Sequence, residues 1–171
     1  MVDGLPSLRS QVLLQHVRTA FEGGKQRFGM RLVHYSIQSN HVHCVVEASD
    51  RRSLTRGMRG LEIRIARAVN GELGRNGRLL ADRYHARALK TPREVRNVLA
   101  YVLLNRRRHG GKIEIDWASS GALFDGWAIE VDLPDVFIAT VARTRAPPET
   151  WLLRRGWRKH GLIRPTEIPG H

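Results

Sequence analysis

A chain of 171 residues has room for one domain with a genuine core, plus an appendage. Its 29 Lys+Arg against 16 Asp+Glu leave a formal charge of +13, carried mainly by arginine, so a nucleic-acid partner is expected ahead of an acidic protein or a membrane surface. One cysteine excludes an internal disulfide and fits a reducing cytoplasm, and no apolar run reaches membrane-span length.

In chain order, Ser7 or Ser10 can cap a first helix whose stripe is Leu13, Val17, Ala20 and Phe21. Gly23-Gly24 weakens that helix, which continues to about Phe28 or ends at the pair. Arg31 to Gln38 alternates as a strand. Gln38-Ser39-Asn40 is a polar turn, and a second strand runs from His41 to about Ala48. Asp50 to Leu73 carries an apolar stripe of Leu54, Met58, Leu61, Ile65, Val69 and Leu73 at helical spacing. Arg56, Arg59, Arg64 and Arg67 occupy the other side of the wheel, as a solvated face or as phosphate contacts. Gly71, Gly74, Asn76 and Gly77 break the helix, and Arg83 to Lys90 is expected to be a short strand. Thr91-Pro92-Arg93-Glu94 is a helix start: threonine accepts from the backbone ahead, proline suits the first turn, and Glu94 reaches back. Val95, Val98, Leu99 and Val102 form its apolar stripe, with Asn97, Tyr101, Asn105 and Arg108 beside it, until Gly110-Gly111 stops it.

The order helix, strand, strand, helix, strand, helix predicts an α+β fold with a small antiparallel sheet over residues 1–111. Residues 112–171 differ in character. They hold all four tryptophans, a Pro-Pro break at 147–148, and the basic aromatic run of Trp151, Arg154, Arg155, Trp157, Arg158 and Lys159. Stacking surfaces next to phosphate binders suit single-stranded nucleic acid, and the same tryptophans could instead pack this extension onto the main domain.

The candidate chemistry lies in SNHVHCVVE. In a strand, His41 and His43 share one face while Val42, Cys44 and Val46 share the other, apolar one. Two imidazoles at that spacing can hold one metal ion, or they can be ordinary polar-face residues. Tyr101 projects among amides and arginines, with Asn105 at i+4 on the same side of its helix. If that helix packs under the histidine face, the site holds two imidazoles, a carboxamide and a phenol; otherwise Tyr101 is a packing residue. Tyr84, His85 and His34 are weaker candidates, Cys44 is expected to be inert, and Val45 stands where an HxHxH nucleotide hydrolase needs a third histidine.

SNHVHCVVE resembles the His-hydrophobic-His strand of the HUH single-tyrosine (IS200-like) transposases. RYHARALKTPREVRNVLAYVLLN is similar to their strand and tyrosine helix, the nearest likeness being to the REP-associated tyrosine transposases. The resemblance spans roughly residues 5–110 and implies a ferredoxin-like (RRM-like) antiparallel sheet with helices. It implies an enzyme of transposition and DNA recombination that cuts and rejoins single-stranded, hairpin-containing DNA through a 5′-phosphotyrosine. By that likeness Tyr101 is the nucleophile, His41, His43 and Asn105 are metal ligands, and the cofactor is Mg²⁺ or Mn²⁺. DNA contacts are expected from Arg56, Arg59, Arg64, Arg67, Arg106, Arg108, Trp151, Arg154, Arg155, Trp157, Arg158 and Lys159. A cytoplasmic, nucleoid-associated monomer or homodimer is expected, with no membrane partner. Two departures stand out. Met1 to Pro6 alone precede the first helix where relatives place a strand, so a ferredoxin-like sheet would lose an interior strand: either the chain is truncated, or its start is misassigned, or the sheet is completed otherwise. Arg106 follows Asn105 where relatives carry proline. The rival to the enzyme is a DNA-hairpin-binding protein that has lost cleavage.

Overall fold

The computed structural model describes residues 1, 4–108 and 115–169, with backbone alone at 107 and 108. Helix α1 (Gln11–Gly24) begins where the Ser10 hydroxyl accepts from Leu13 N and ends at the glycine pair. Leu13, Leu14, Val17, Ala20 and Phe21 form its buried face. Gly24 lies against α2 (Arg51–Glu72): a Cβ there would come within 2.8 Å of Leu61 Cδ1. Asp50 caps α2 through Ser53 N at 2.7 Å, and Gly57, Leu61, Ile65 and Val69 are buried along it.

Between these helices, β1 (Gln26–Arg27), β2 (Met30–Ile37) and β3 (Val42–Ala48) form an antiparallel sheet in the order β1-β2-β3. β1 and β2 are joined by the two residues Phe28 and Gly29, at φ 57° and 77°. Two positive φ values are what a two-residue hairpin turn of matching twist requires. Along β2 and β3 the pairs Ser36↔His43 and Ile37↔Val42 close the far end, while Leu32↔Val46 and His34↔Val45 leave Val33 as an extra residue. This bulge lets consecutive residues Val33 and His34 face the same way.

The sheet is therefore covered on both faces. Leu32, Tyr35 and Ile37, with Val42, Cys44 and Val46 of β3, pack with α1 and α2. Val33 and Val45 pack with α3 (Pro92–Leu103), Phe124, Leu153, Trp157 and Ile163. The capping box of Thr91 and Glu94 opens α3 as the sequence predicts. This is an α+β, antiparallel-sheet architecture of the ferredoxin-like kind expected, with two differences. Residues 83–90 form no strand; they are irregular and mostly exposed, and pair with none of the three strands. The second difference is that the helix does not run unbroken from Thr91: it stops at Leu104 (φ −106°, ψ 14°), and Asn105–Arg108 form a separate short helix, α4. The expected stop at Gly110-Gly111 lies outside the described residues.

The later residues pack into the same structure. Ser119 bridges Ser36, Ile37 N donates to Ala118 O at 2.9 Å, and Ala146 N donates to Leu32 O at 2.8 Å, so they line β2 on the edge away from β3. Helix α5 (Asp135–Thr144) follows. Then α6 (Trp151–Arg154) starts where the Glu47 carboxylate accepts from Glu149 N, Thr150 N and the Thr150 hydroxyl at 2.6–2.8 Å.

Candidate active site

The hairpin loop between β2 and β3 is tied by Gln38 N donating to His41 O at 2.9 Å, which sets His41 at the head of β3. Asn40 Oδ1 sits 2.8 Å from His41 Nδ1. With that nitrogen's proton given to the amide oxygen, Nε2 keeps its lone pair and points at His43, the two Nε2 atoms being 3.1 Å apart. Two nitrogens each about 2.1 Å from one ion and bound at 90–109° would stand roughly 3.0–3.4 Å apart, so the pair is spaced as neighbouring ligands of a single cation. Among the described residues no cluster of three or more His, Cys, Asp or Glu is spaced to hold a metal. Further donors would have to be neutral oxygens or the substrate.

Helix α3 lies across the face that carries these histidines. It brings the Tyr101 ring to 5.1 Å from the His43 ring, edge to face at 75°. His41 and His43 are 4.7 Å apart by the same measure. Phenol and imidazoles therefore share one place at the end of the sheet, with Tyr101 half-buried against the core on the α3 side. Asn105 is positioned differently from expectation. The break at Leu104 takes it off the continuous helix with Tyr101, and it is 1 % exposed. Among the described residues neither its amide oxygen nor its nitrogen has a hydrogen-bond partner. A buried amide left so is costly unless a ligand satisfies it, and the chemistry of its oxygen fits a hard divalent cation.

The weaker candidates lie elsewhere. His34 is buried with Nδ1 3.1 Å from Ser120 Oγ and its ring against Phe124; burial and the charge of Arg145 push its pKa down to about 3, so it is neutral. Burial also pushes the Cys44 thiol up to about 12, which keeps it inert. Tyr84 donates to the Thr55 hydroxyl on α2, and His85 is exposed.

Of the expected DNA contacts, Arg56, Arg59, Arg64 and Arg67 are exposed on α2, and the Arg64 side chain reaches across Gly23 and Gly24. Arg106 is exposed, 3.8 Å from the Asp116 carboxylate. The side chain of Arg108 lies outside the described residues. Trp151 is 53 % exposed with Lys159 over its ring, and Arg154 and Arg155 are exposed beside it. Trp157 is a correction. It is 1 % exposed, stacked on Phe124 at 5.3 Å with its Nε1 donating to Leu153 O, so its ring fills the core rather than facing a base. Arg158 covers it and pairs with Asp125 at 2.8 Å. Sequence reasoning passed over Asn40, whose signal is its place directly before the first histidine. It also passed over Trp117, 42 % exposed between the guanidiniums of Arg9 and Arg18, whose aromatic signal was shared with three other tryptophans.

Among the described residues no helix is long and apolar enough to cross a membrane. No curated protein and no solved structure matches the chain. A family model described as "Transposase IS200 like" matches residues 6–104, more than half of the chain, and the match includes both histidines and Tyr101. The chain belongs to the IS200-like transposase family.

Proposed function

We propose that this transposase is a metal-dependent endonuclease and strand transferase for single-stranded DNA next to hairpins, of the REP-associated kind, with Tyr101 as its nucleophile. The observation that carries the reading is the meeting of Tyr101 with the His41–His43 pair across the tertiary structure, from elements nearly sixty residues apart in sequence. His41 and His43 would hold a divalent ion through Nε2, with the Asn105 oxygen as the third protein donor. Mn²⁺ suits imidazole better than Mg²⁺ does. When bound, such an ion supplies positive charge where negative charge grows on the phosphate oxygens.

The protein's own part is positioning and nucleophilic attack. Tyr101 Oη forms a bond to phosphorus while the bond from phosphorus to the 3′ oxygen breaks. The phenolic proton passes to solvent, and the departing oxygen takes one up to become a 3′-hydroxyl. One phosphate ester is exchanged for another, so a 3′-hydroxyl can reverse or redirect the step with no nucleotide cofactor. Asn40 keeps the His41 ring in one orientation. The exposed arginines of α2, Arg106, and the Trp151, Arg154, Arg155 and Lys159 surface are the contacts that would carry the flanking strand.

The test is a labelled hairpin oligonucleotide with Mn²⁺. A covalent protein–DNA adduct is expected with the natural chain and none with Tyr101→Phe, at closely similar oligonucleotide affinity. An adduct that persists in Tyr101→Phe removes Tyr101 from the role. Binding without any adduct in the natural chain returns the protein to the class of hairpin-binding proteins that no longer cut.

A further inference from the structure

Phe28 occupies a position that ordinary packing does not explain. It is the first residue of the β1–β2 turn, at φ 57°, a left-handed conformation that disfavours a bulky aromatic and suits glycine or asparagine. Its ring is 46 % exposed. One edge rests on α2 at Gly60, where a Cβ would stand 3.2 Å from Phe28 Cε2, so a side chain at residue 60 would crowd the ring. The guanidiniums of Arg56 and Arg27 lie 4.8 and 5.8 Å from the ring centre. Among the described residues neither arginine has a carboxylate partner, whereas Arg9, Arg31, Arg96 and Arg158 do. A wet aromatic flanked by two uncommitted guanidiniums, held in a conformation that costs stability, is a feature retained for contact with something outside the fold.

The chemistry of that contact follows from the parts. The ring offers a π-face, and the arginines offer planar donors for phosphate oxygens. A base pair inside a duplex hides its faces by stacking, so the matching ligand is an unpaired nucleotide. The location makes it a separate subsite. Phe28 adjoins the Met30↔Ala48 end of the β2–β3 ladder, while His43 is near the Ile37↔Val42 end. The two ends are about 23 Å apart along the ladder at roughly 3.3 Å per residue, and Phe28 rests on the α2 side of the sheet while His43 and Tyr101 meet on the α3 side, so a strand joining them would pass around the edge of the sheet.

We propose that Phe28 is a stacking platform for an unpaired nucleobase of the bound DNA, with Arg27 and Arg56 on its neighbouring phosphates. The proposal rests on the reading of the protein as a single-stranded-DNA enzyme and adds a binding subsite remote from the reacting tyrosine. The opposing account makes Phe28 a staple that only fastens the hairpin to α2.

Two probes separate these accounts: a twenty-nucleotide oligothymidylate and a strand of equal length made wholly of abasic sites, both bound without metal. The natural chain is expected to prefer the thymidylate. Phe28→Asn, which suits the turn, should lower that preference about tenfold while leaving the melting temperature unchanged or higher. Phe28→Tyr should keep the preference. An equal loss on both strands would show that the ring only props the arginines. Unchanged preference in Phe28→Asn, or a lowered melting temperature with unchanged binding, would show a staple. Either result overturns the subsite while leaving Tyr101 untouched. Failure of the natural chain to bind the thymidylate at all would instead remove the single-stranded-DNA reading on which the subsite rests.

Discussion

Residues 6–104 and residues 115–169 hold their shape in different ways. The first region has long helices with clear starts: α2 runs for 22 residues from an Asp50 cap, and α3 opens on a complete capping box. The second region's longest helix has 10 residues, and no side chain caps its start. It stays in place through joints to the first: backbone bonds from 118, 120 and 146 to β2, the Glu47 carboxylate at the start of α6, and Trp157 under α3. A segment with little helical regularity of its own can thus still share a core, because its stability comes from distant partners rather than from near neighbours.

Each joint offers a way to break that account. The largest effect is expected from Trp157→Ala, since deleting a buried tryptophan costs about 3–5 kcal/mol. Urea unfolding followed by far-UV circular dichroism should show a single transition at lower midpoint. Two separate transitions would mean that the later residues are an independent appendage. Next comes Glu47→Gln, which removes the charge from a buried carboxylate that accepts three hydrogen bonds. A loss of about 1–3 kcal/mol is expected by the same measurement; no loss would leave α6 held by its side chains alone.

The third concerns His34, whose pKa is depressed from the usual 6.5 to about 3 by burial and by Arg145. The unfolded chain binds this proton more readily than the native one. Stability should therefore fall as pH drops below 6.5 and stop falling near 3, at up to about 1.4 kcal/mol per pH unit. The difference in stability between the natural chain and His34→Asn should change with pH inside that window and be level above it. A difference that ignores pH would show that His34 is charged or exposed in solution.

What was legible in the sequence was what neighbouring residues decide among themselves. The Thr91–Glu94 box, the α2 stripe and the separation of His41 and His43 from Val42, Cys44 and Val46 all follow from local periodicity and capping, and all are found. The meeting of Tyr101 with the histidines was reached through the likeness of two separated motifs, since spacing alone cannot bring a helix onto a strand. The misses are non-local. A strand at 83–90 needed a partner that alternation does not supply. The break at Leu104 has no glycine or proline to announce it. Trp157 looked like a surface residue because arginines surround it in sequence, yet Arg158 lies over its ring as a lid of hydrocarbon and charge. Phe28 gave no turn signal, because the first position of such a turn is usually asparagine, aspartate or glycine.

Val33 sets a rule about length. Removing this extra residue would straighten β2 yet leave Leu32, Tyr35 and Ile37 toward α1 and α2 and His34 toward α3, at the loss of the Val33 packing, whereas a residue gained or lost between Tyr35 and Ile37 would turn the positions beyond it to the opposite face. Strand β2 can therefore lose its bulge residue and keep its faces, but its regularly paired part accepts exchanges of one apolar residue for another and neither gains nor loses a codon. The irregular stretch between α2 and α3 carries no such register, so a change in its length would turn no face over.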